Sequence, residues 1–258
     1  MLRAPESVSA RRTDPLRSAA TYLAGRLGTV SVAVDDLAAH QTWTVGDIAR
    51  AQDTASIVKV EILETLLARH PAGLTQAQAG LAEQTIEDSD NDAATALWNA
   101  IGHGAGIRAF GKLAGLAGTT PSVCLQCWGL TTTTPLDQLA LLRELVSAPS
   151  VLSAAARRFA VGLMRDVTPS QRWGVSGGVP PRATVALKDG WLPLQAADAD
   201  WQINSIGWVS GLGRDYLIAV LSTGNPSEFY GIETIDELSA IIWQRLTARF
   251  TTDSAGTR

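Results

Sequence analysis

Lysine is the residue type that this 258-residue chain most conspicuously lacks: of its 21 basic residues, only Lys59, Lys112 and Lys188 are lysines. A coding bias toward arginine explains much of this scarcity, since alanine and arginine are frequent throughout the sequence. An arginine cannot release its proton near neutral pH, whereas a buried lysine can. The three remaining lysines are therefore the first candidates for chemistry that needs a basic amine.

Histidine is also scarce. His40, His70 and His103 are isolated from one another and from the two cysteines, so the sequence shows no spacing typical of metal ligands. We expect no metal and no cofactor.

The two cysteines, Cys124 and Cys127, form a C-x-x-C pair in the sequence VCLQCW. A redox site of this type is expected to open a helix beside a strand. Here the flanking segments GTTPS and GLTTTTP indicate a loop. A redox pair remains one interpretation, and the loop context favours the other, free loop thiols or a local disulfide.

Long apolar runs are absent, and none approaches the roughly 18–20 residues that a membrane-spanning helix needs. The first residues, MLRAPESVSARRTDPLRS, contain no apolar core of the signal-peptide kind. We therefore expect no membrane span. The protein is expected to be secreted if a leader has been removed, and cytoplasmic if this is the full chain.

Hydrophobic residues make up 46% of the chain and charged residues 18%, which provides a sizeable core and argues against disorder. The length suits one large domain or two interleaved lobes. With a net charge of −4 and scattered basic residues, the chain has no surface typical of nucleic-acid binding.

Hydrophobic periodicity predicts two groups of strands separated by helices, an α+β arrangement. The predicted strands are 29–37, 40–46, 183–193, 201–211 and 214–224, and the predicted helices are 13–28, 54–70, 90–102, 106–116, 134–147, 152–166 and 233–250. The sequence is divided accordingly into residues 1–50, an all-helical segment 51–181 and residues 182–258, of which the last few (251–258) are expected to fray.

The first of three short motifs is Ser56-x-x-Lys59, at the start of a predicted helix. Residues i and i+3 share one helix face, and a desolvated lysine can activate a serine hydroxyl. The helix N-terminus adds N–H groups and partial positive charge where an oxyanion would form. The simpler interpretation is an ordinary surface helix start.

The second motif is Ser-Asp-Asn at residues 89–91, and the third is Lys-Asp-Gly at residues 188–190. The second reads equally well as an N-cap cluster. In the third, a glycine within a predicted strand indicates close approach of another backbone or a ligand, whereas the lysine alone could be an edge-strand charge.

In this order, the three motifs resemble the Ser-x-x-Lys, Ser-Asp-Asn and Lys-[Thr]-Gly set of class A β-lactamases and penicillin-binding proteins. The order of helices and strands is similar as well, over about residues 14–250. The resemblance implies a β-lactamase-like α+β fold: a five-stranded antiparallel sheet with the terminal helices packed on it, and an inserted helical lobe that carries the first two motifs.

The same resemblance implies a serine hydrolase and a role for each motif residue. Ser56 would be the acylated nucleophile and Lys59 its general base. Ser89 would pass the proton to the leaving group, Asn91 would hold Lys59 and the substrate amide, and Lys188 would supply positive potential.

The strand motif is implied to line the substrate site through Asp189, Gly190 and Trp191. The backbone N–H groups of Ser56 and Trp191 would form the oxyanion hole. Trp128 and Trp173 are further candidates for an apolar wall of the cleft.

One departure from the family pattern concerns deacylation. Class A enzymes carry a glutamate on a loop after the Ser-Asp-Asn helix, where it activates water. The corresponding segment here, GTTPSVCLQCWGLTTTTPLDQ, has no acid before Asp137, which itself reads as part of a helix cap. We therefore expect an acyl-serine that hydrolyses slowly, and poor activity on penicillins.

The second departure is Asp189, which stands where the family has threonine. If its side chain faces the cleft, it would repel a substrate carboxylate by about 1–4 kcal/mol at 4 Å. A neutral or amine-bearing substrate follows from that interpretation. In the alternative, Asp189 only pairs with Lys188 or with an arginine.

Three functions remain open on the sequence, ahead of a fourth, a true β-lactamase. The first is a monomeric hydrolase acting on an ester or amide of a small-molecule or peptide-like substrate. The others are acyl transfer to an amine and a catalytically silent binding protein with the same fold. The G-x-S-x-G match at residues 174–178 is set aside, because VPPR rather than a helix follows Ser176 and no histidine lies downstream.

Overall fold

The computed structural model describes residues 14–194 and 200–246. The expected frayed tail at 251–258 lies outside this range. The helices are α1 (Arg17–Leu23), α2 (Val58–Arg69), α3 (Gln76–Glu87), α4 (Asn91–Ala100), α5 (His103–Ala114), α6 (Pro135–Val146), α7 (Ala154–Arg165) and α8 (Glu228–Arg245). The strands are β1 (Thr29–Asp36), β2 (Gln41–Val45), β3 (Gln52–Asp53), β4 (Thr132–Thr133), β5 (Thr184–Leu194), β6 (Asp200–Gly211) and β7 (Arg214–Asn225).

Five of the strands form one antiparallel sheet in the order β2-β1-β7-β6-β5. The N-terminal hairpin therefore lies at one edge of the sheet, and the strand with the Lys-Asp-Gly motif lies at the other. The two-residue strands β3 and β4 form a separate antiparallel pair, and β3 lies just before the Ser-x-x-Lys segment in the chain.

The two faces of the sheet are covered by different parts of the chain. Side chains alternate across a strand, so Ile203 and Asn204 on β6 point to opposite faces. Ile203 packs against Gly231 of α8, and α1 packs on α8 in turn. Asn204 reaches the segment before α2, on the side of the helical insertion. The predicted α+β fold, with five antiparallel strands and terminal helices on the sheet, is confirmed. The domain boundaries at 50/51 and 181/182 stay a prediction.

The sequence prediction missed helix α3 and misplaced the bounds of α8 and α1. Helix α3 has few apolar residues and therefore a weak periodicity, yet a capping box marks its start: Thr75 and Gln78 bond reciprocally through side chain and backbone. Helix α8 begins five residues earlier than predicted, where Ser227 Oγ accepts a hydrogen bond from the Tyr230 N–H. Helix α1 is shorter than predicted and spans seven residues.

In the part of the chain that the structure describes, no helix is both long and apolar enough to cross a membrane.

Helix α2 carries two buried carboxyl groups beyond the Ser-x-x-Lys segment. Glu61 and Glu64 have no exposed surface, and within the described residues none of their carboxyl oxygens has a hydrogen-bond partner. Burial, with a smaller contribution from Asp137, raises the pKa of Glu61 to about 8. Burial also raises the pKa of Glu64, to which Glu144 and Glu61 add. Both carboxyls are therefore expected to be protonated at neutral pH.

We predict that replacing both carboxyls by amides, Glu61→Gln with Glu64→Gln, stabilises the fold increasingly as the pH rises. Both folded-state pKa values lie above those of the unfolded chain, so the folded parent loses stability as the pH rises above about 4.5, and for Glu61 this loss continues to about pH 8. An amide does not titrate in this pH range, so the double variant does not lose this stability. The gain in melting temperature of the double variant over the parent should widen by at least about 4 °C between pH 5 and pH 9.

Comparing variant with parent at each pH removes the opposing contribution of the buried lysines. Glu83 is exposed on α3, so Glu83→Gln is the matched control and should show no such widening. A constant difference between the double variant and the parent would contradict the assignment of neutral buried carboxyls.

Candidate active site

Ser56 lies in a short 3₁₀ turn, Ala55–Ile57, that leads directly into α2. Ala55 has a φ of 47°, a left-handed conformation that is strained for a residue with a Cβ. Such strain is retained where surrounding packing enforces it, often at functional sites. Ser56 is half-buried between buried neighbours, and within the described residues its hydroxyl has no hydrogen-bond partner. The turn thus presents a free hydroxyl at the start of a helix.

Lys59 is completely buried, and its ammonium group is surrounded by the second motif. Its Nζ donates hydrogen bonds to the Ser89 carbonyl oxygen, to Ser89 Oγ at 3.0 Å and to Asn91 Oδ1 at 2.8 Å. Burial, together with the positive charge of Lys188 and against the opposing effect of Asp90, lowers the pKa of Lys59 to about 7. A substantial fraction of Lys59 is therefore expected to be neutral near pH 7, as a general base requires.

The Ser-Asp-Asn motif divides its residues between two tasks. Asp90 is the N-cap of α4, with its Oδ1 accepting from the Ala93 N–H at 2.7 Å. Ser89 has a φ of 55°. The side chains of Ser89 and Asn91 do not cap the helix but accept hydrogen bonds from Lys59 Nζ. The N-cap interpretation therefore explains Asp90 alone.

Lys188 and Gly190 lie on β5 and face the nucleophile turn. A Cβ at Gly190 would lie 2.6 Å from the Ser56 backbone nitrogen and 2.9 Å from that of Ile57, so only glycine permits this approach. Lys188 is fully buried and its Nζ donates to the Asp189 carbonyl oxygen at 3.1 Å. Burial lowers the pKa of Lys188 to about 8, while Asp189 acts in the opposite direction.

Asp189 does not face the cleft, which corrects the expectation from its position in the motif. It has no exposed surface, and its carboxylate accepts hydrogen bonds from Ser205 Oγ and, at 3.1 Å, from the Trp173 N–H. The reason is strand alternation, which places it on the sheet face opposite Gly190. Burial raises its pKa to about 8, although Ser205, Lys188 and Trp173 oppose the increase. Nor does its carboxylate form an ion pair with Lys188 or with an arginine in the described residues.

The three tryptophans expected near the cleft have different surroundings. Trp173 and Trp191 pack on each other, with ring centroids 6.1 Å apart. Trp128 instead lies over Lys59, whose Nζ is 4.8 Å from the centre of the Trp128 ring, and its Nε1 donates to Thr95 Oγ1 at 3.1 Å. Trp128 therefore borders the nucleophile and base. The oxyanion-hole role of the Trp191 N–H stays a prediction.

Asn204 is a site residue that the sequence interpretation missed. Its Nδ2 donates to the carbonyl oxygens of Asp53 and Thr54 at 2.9 and 3.0 Å, which ties the central sheet to the segment before Ser56. Its Oδ1 accepts from Gln202 Nε2 at 2.9 Å. The sequence did offer one indication of this role. Asn204 lies within the largely apolar strand WQINSIGW, and a buried amide there must find hydrogen-bond partners.

Cys124 and Cys127 are joined by a disulfide, with Cα atoms 5.1 Å apart, in the loop that precedes Trp128. The structure thus shows the local disulfide rather than free thiols. Among the described residues, no group of three or more His, Cys, Asp or Glu side chains is arranged to hold a metal ion.

The fold has many relatives among solved structures. A class A beta-lactamase representative from Bacteroides cellulosilyticus DSM 14838 aligns with a TM-score of 0.80 at 17% identity, covering 92% of this chain and 99% of that one. A beta-lactamase from Chitinophaga pinensis DSM 2588 aligns with a TM-score of 0.78 at 19% identity, covering 90% and 99% of the two chains. A class A beta-lactamase from Mycobacterium abscessus gives 0.73 at 22% identity, covering 90% and 98%. At these identities the likeness establishes the fold.

No curated protein matches the sequence. The model of the Beta-lactamase enzyme family matches residues 66–246. The matched segment begins beyond Ser56 and Lys59 and includes Ser89, Asn91 and Lys188. Because it extends over well more than half of the sequence, the chain belongs to the beta-lactamase enzyme family.

Proposed function

We propose that this protein is a serine hydrolase that acts on an ester or amide through an acyl-Ser56 intermediate. The observation that carries the proposal is the environment of Lys59: a buried amine with a pKa near 7, held by Ser89 and Asn91, one helical turn from a free serine hydroxyl. A protein that only binds a ligand has no need to keep a buried, unpaired lysine at this position, because burying a charge without a counter-ion is costly.

Acylation follows from these contacts. Neutral Lys59 takes the Ser56 proton, and Oγ attacks the substrate carbonyl carbon. Ser89, whose hydroxyl contacts Lys59 Nζ, then passes a proton to the leaving group as its bond to the carbonyl carbon breaks. Backbone N–H groups at the start of α2 face the developing oxyanion. Without substrate, the three hydrogen bonds of Lys59 Nζ go to Ser89 and Asn91. The contact between Lys59 Nζ and Ser56 Oγ is expected to tighten when substrate binds.

Slow release of the acyl group is the second part of the proposal. In the described part of the chain, none of the hydrogen-bond partners of Lys59 is a carboxylate. Within the described residues, no carboxylate is therefore hydrogen-bonded to Lys59 in position to activate the hydrolytic water, and penicillins should be turned over poorly. The same observation favours acyl transfer to an amine as a second candidate activity.

The substrate is proposed to be a small-molecule or peptide-like carbonyl compound that is neutral or carries an amine. The support for this substrate preference is indirect, because Asp189, whose position in the motif first suggested it, does not line the cleft. Burial lowers the pKa of Lys188 to about 8, so the positive potential that would attract a substrate carboxylate weakens as the pH rises toward that value.

The test is intact-protein mass spectrometry after exposure to a penicillin, an activated neutral ester and a fluorophosphonate. We expect a persistent adduct on the parent chain and none on Ser56→Ala, with the ester reacting faster than the penicillin. An added primary amine that shortens the adduct lifetime and yields an amide would establish acyl transfer. If no probe reacts, or if Ser56→Ala reacts equally, the acyl-Ser56 proposal is wrong and the silent binding protein is preferred.

A further inference from the structure

The segment that contains Trp128 is fixed against the nucleophile turn. Residues 124–131, here called the strap, are bound at one end by Trp98 Nε1, which donates to the Leu125 carbonyl oxygen at 2.8 Å. At the other end the Thr54 N–H donates to the Thr131 carbonyl oxygen at 2.8 Å. The strap therefore holds a defined position beside α4 and the Ser56 turn.

Within the strap, the Trp128 ring closes the surroundings of Lys59. A Cβ at the next residue, Gly129, would lie 3.6 Å from Ala55 Cα, so the strap backbone packs directly on the nucleophile turn. The indole N–H is engaged by Thr95 Oγ1, and the ring centre is 4.8 Å from Lys59 Nζ. With Ser89 and Asn91 as the other neighbours, Lys59 Nζ is sealed from solvent.

We propose that Trp128 is a positioning residue that keeps water away from Lys59 and from the acyl-Ser56 ester, and that it thereby prolongs the acyl-enzyme. This inference rests on the acyl-Ser56 proposal. In hydrolysis, a water oxygen bonds to the acyl carbon, the ester bond to Ser56 Oγ breaks, and the water proton passes through the base to Oγ. That water must hydrogen-bond to a base as it attacks. An indole face offers no such acceptor, and its one donor is already bonded to Thr95.

The inference explains why a lysine that is basic enough for acylation need not catalyse deacylation. Acylation transfers a proton from Ser56, which lies in the turn that leads directly into the helix of Lys59. Deacylation requires a water molecule that reaches both the ester carbon and Lys59 Nζ, and the ring covers Nζ at 4.8 Å from its centre. Trp128 thus slows deacylation, whereas acylation depends on Ser56 and Lys59.

The experiment compares Trp128→Ala and Trp128→Phe with the parent, measuring acylation by an activated neutral ester and the lifetime of the adduct after dilution. Trp128→Ala should shorten the lifetime by about tenfold or more, toward the roughly 10²–10⁴-fold range of general-base effects. Because the variant also hydrates Lys59 and so raises its pKa, acylation is compared at the high-pH plateau of each protein, where it should change by less than about threefold. Trp128→Phe retains a ring and should resemble the parent. Trp43 is half-buried on β2, at the opposite edge of the sheet, so Trp43→Ala is the matched control and should leave the lifetime unchanged.

A second variant avoids a large cavity. Thr95→Val preserves side-chain volume but removes the hydroxyl that accepts from the indole N–H and donates to the Asn91 carbonyl oxygen. The loss of these two hydrogen bonds should shorten the lifetime about threefold or more. Equal lifetimes in the parent, Trp128→Ala and Thr95→Val would overturn the inference.

Solvent access to Lys59 provides a readout that needs no acylation. Reductive methylation by formaldehyde and borohydride, followed by peptide mass analysis, reports three lysines individually. Exposed Lys112 should react equally in all variants, whereas Lys59 should be protected in the parent and react in Trp128→Ala. Protection of Lys59 in both would overturn the inference. If the parent is never acylated, the proposed function fails instead, and the methylation result shows separately whether the ring shields Lys59.

Discussion

Replacing Lys59 by arginine is expected to lower the rate of Ser56 acylation by about 10³-fold at pH 7, within the range of 10²–10⁴ that general-base catalysis supplies. Arginine keeps the positive charge and much of the length but cannot release its proton, so it cannot accept the one from Ser56. The acylation rate is measured by intact mass with an activated ester. The control is Lys112→Arg, which changes an exposed lysine on α5 and should have no effect.

The pH profile separates loss of the base from loss of structure. Burial, with help from the charge of Lys188, lowers the pKa of Lys59 to about 7. The neutral, proton-accepting form is therefore lost as the pH falls through 7, and parent acylation should decrease about tenfold for each pH unit below that value. The residual rate of Lys59→Arg should not show this titration. A Lys59→Arg variant that acylates within tenfold of the parent, with the same profile, would show that another group is the base.

Gly190→Ala is expected to reduce acylation by about 10²-fold, comparable to the loss of one oxyanion-hole donor. The added Cβ would lie 2.6 Å from the Ser56 nitrogen, 2.9 Å from the Ile57 nitrogen and 3.1 Å from the Thr54 carbonyl oxygen. All three are backbone atoms, so no side-chain rotation can relieve the overlap, and β5 must move away from the nucleophile turn. The overpacking should also destabilise the fold by about 1–3 kcal/mol.

The matched control for this variant is Gly162→Ala. Gly162 lies within α7, and a Cβ there would meet nothing within 4 Å. Alanine is a better helix former than glycine, so this variant should be neutral or stabilising by up to about 1 kcal/mol, with unchanged acylation. Acylation and the free energy of unfolding are measured for both variants. Parent-like acylation by Gly190→Ala would mean that β5 does not shape the reaction site.

Much of the fold was accessible to local sequence reasoning because helices and strands have distinct periodicities. The hairpin β1–β2, the long strands β5–β7 and the helix that carries Lys59 were predicted at nearly their observed places, with Ser56 in the turn just before that helix. Helix α3 was missed because it has little apolar periodicity, although its capping box was visible in the sequence.

The spacing within each motif was also informative about the site. A separation of three residues on one helix places Ser56 near Lys59, and a glycine in a strand indicated the close approach that Gly190 makes. The meeting of Lys59 with Ser89 and Asn91 came from the order of motifs in a known family, since residues 30 apart in sequence meet only through packing. Their catalytic roles stay a prediction until Ser56 acylation is measured.

Other features depended on how distant elements pack. Strand alternation turned Asp189 away from the cleft and toward Ser205, although its sequence neighbours face the nucleophile. The strap places Trp128 against Lys59. These residues are 69 positions apart, so no local sequence pattern predicts their contact. Burial, a property of the whole core, moved the pKa values of Lys59 and Glu61 toward neutrality. The sequence therefore determined which groups the chain carries and in which elements they lie, whereas the packed structure determined their neighbours and their proton affinity, because desolvation and contact arise only when distant elements meet.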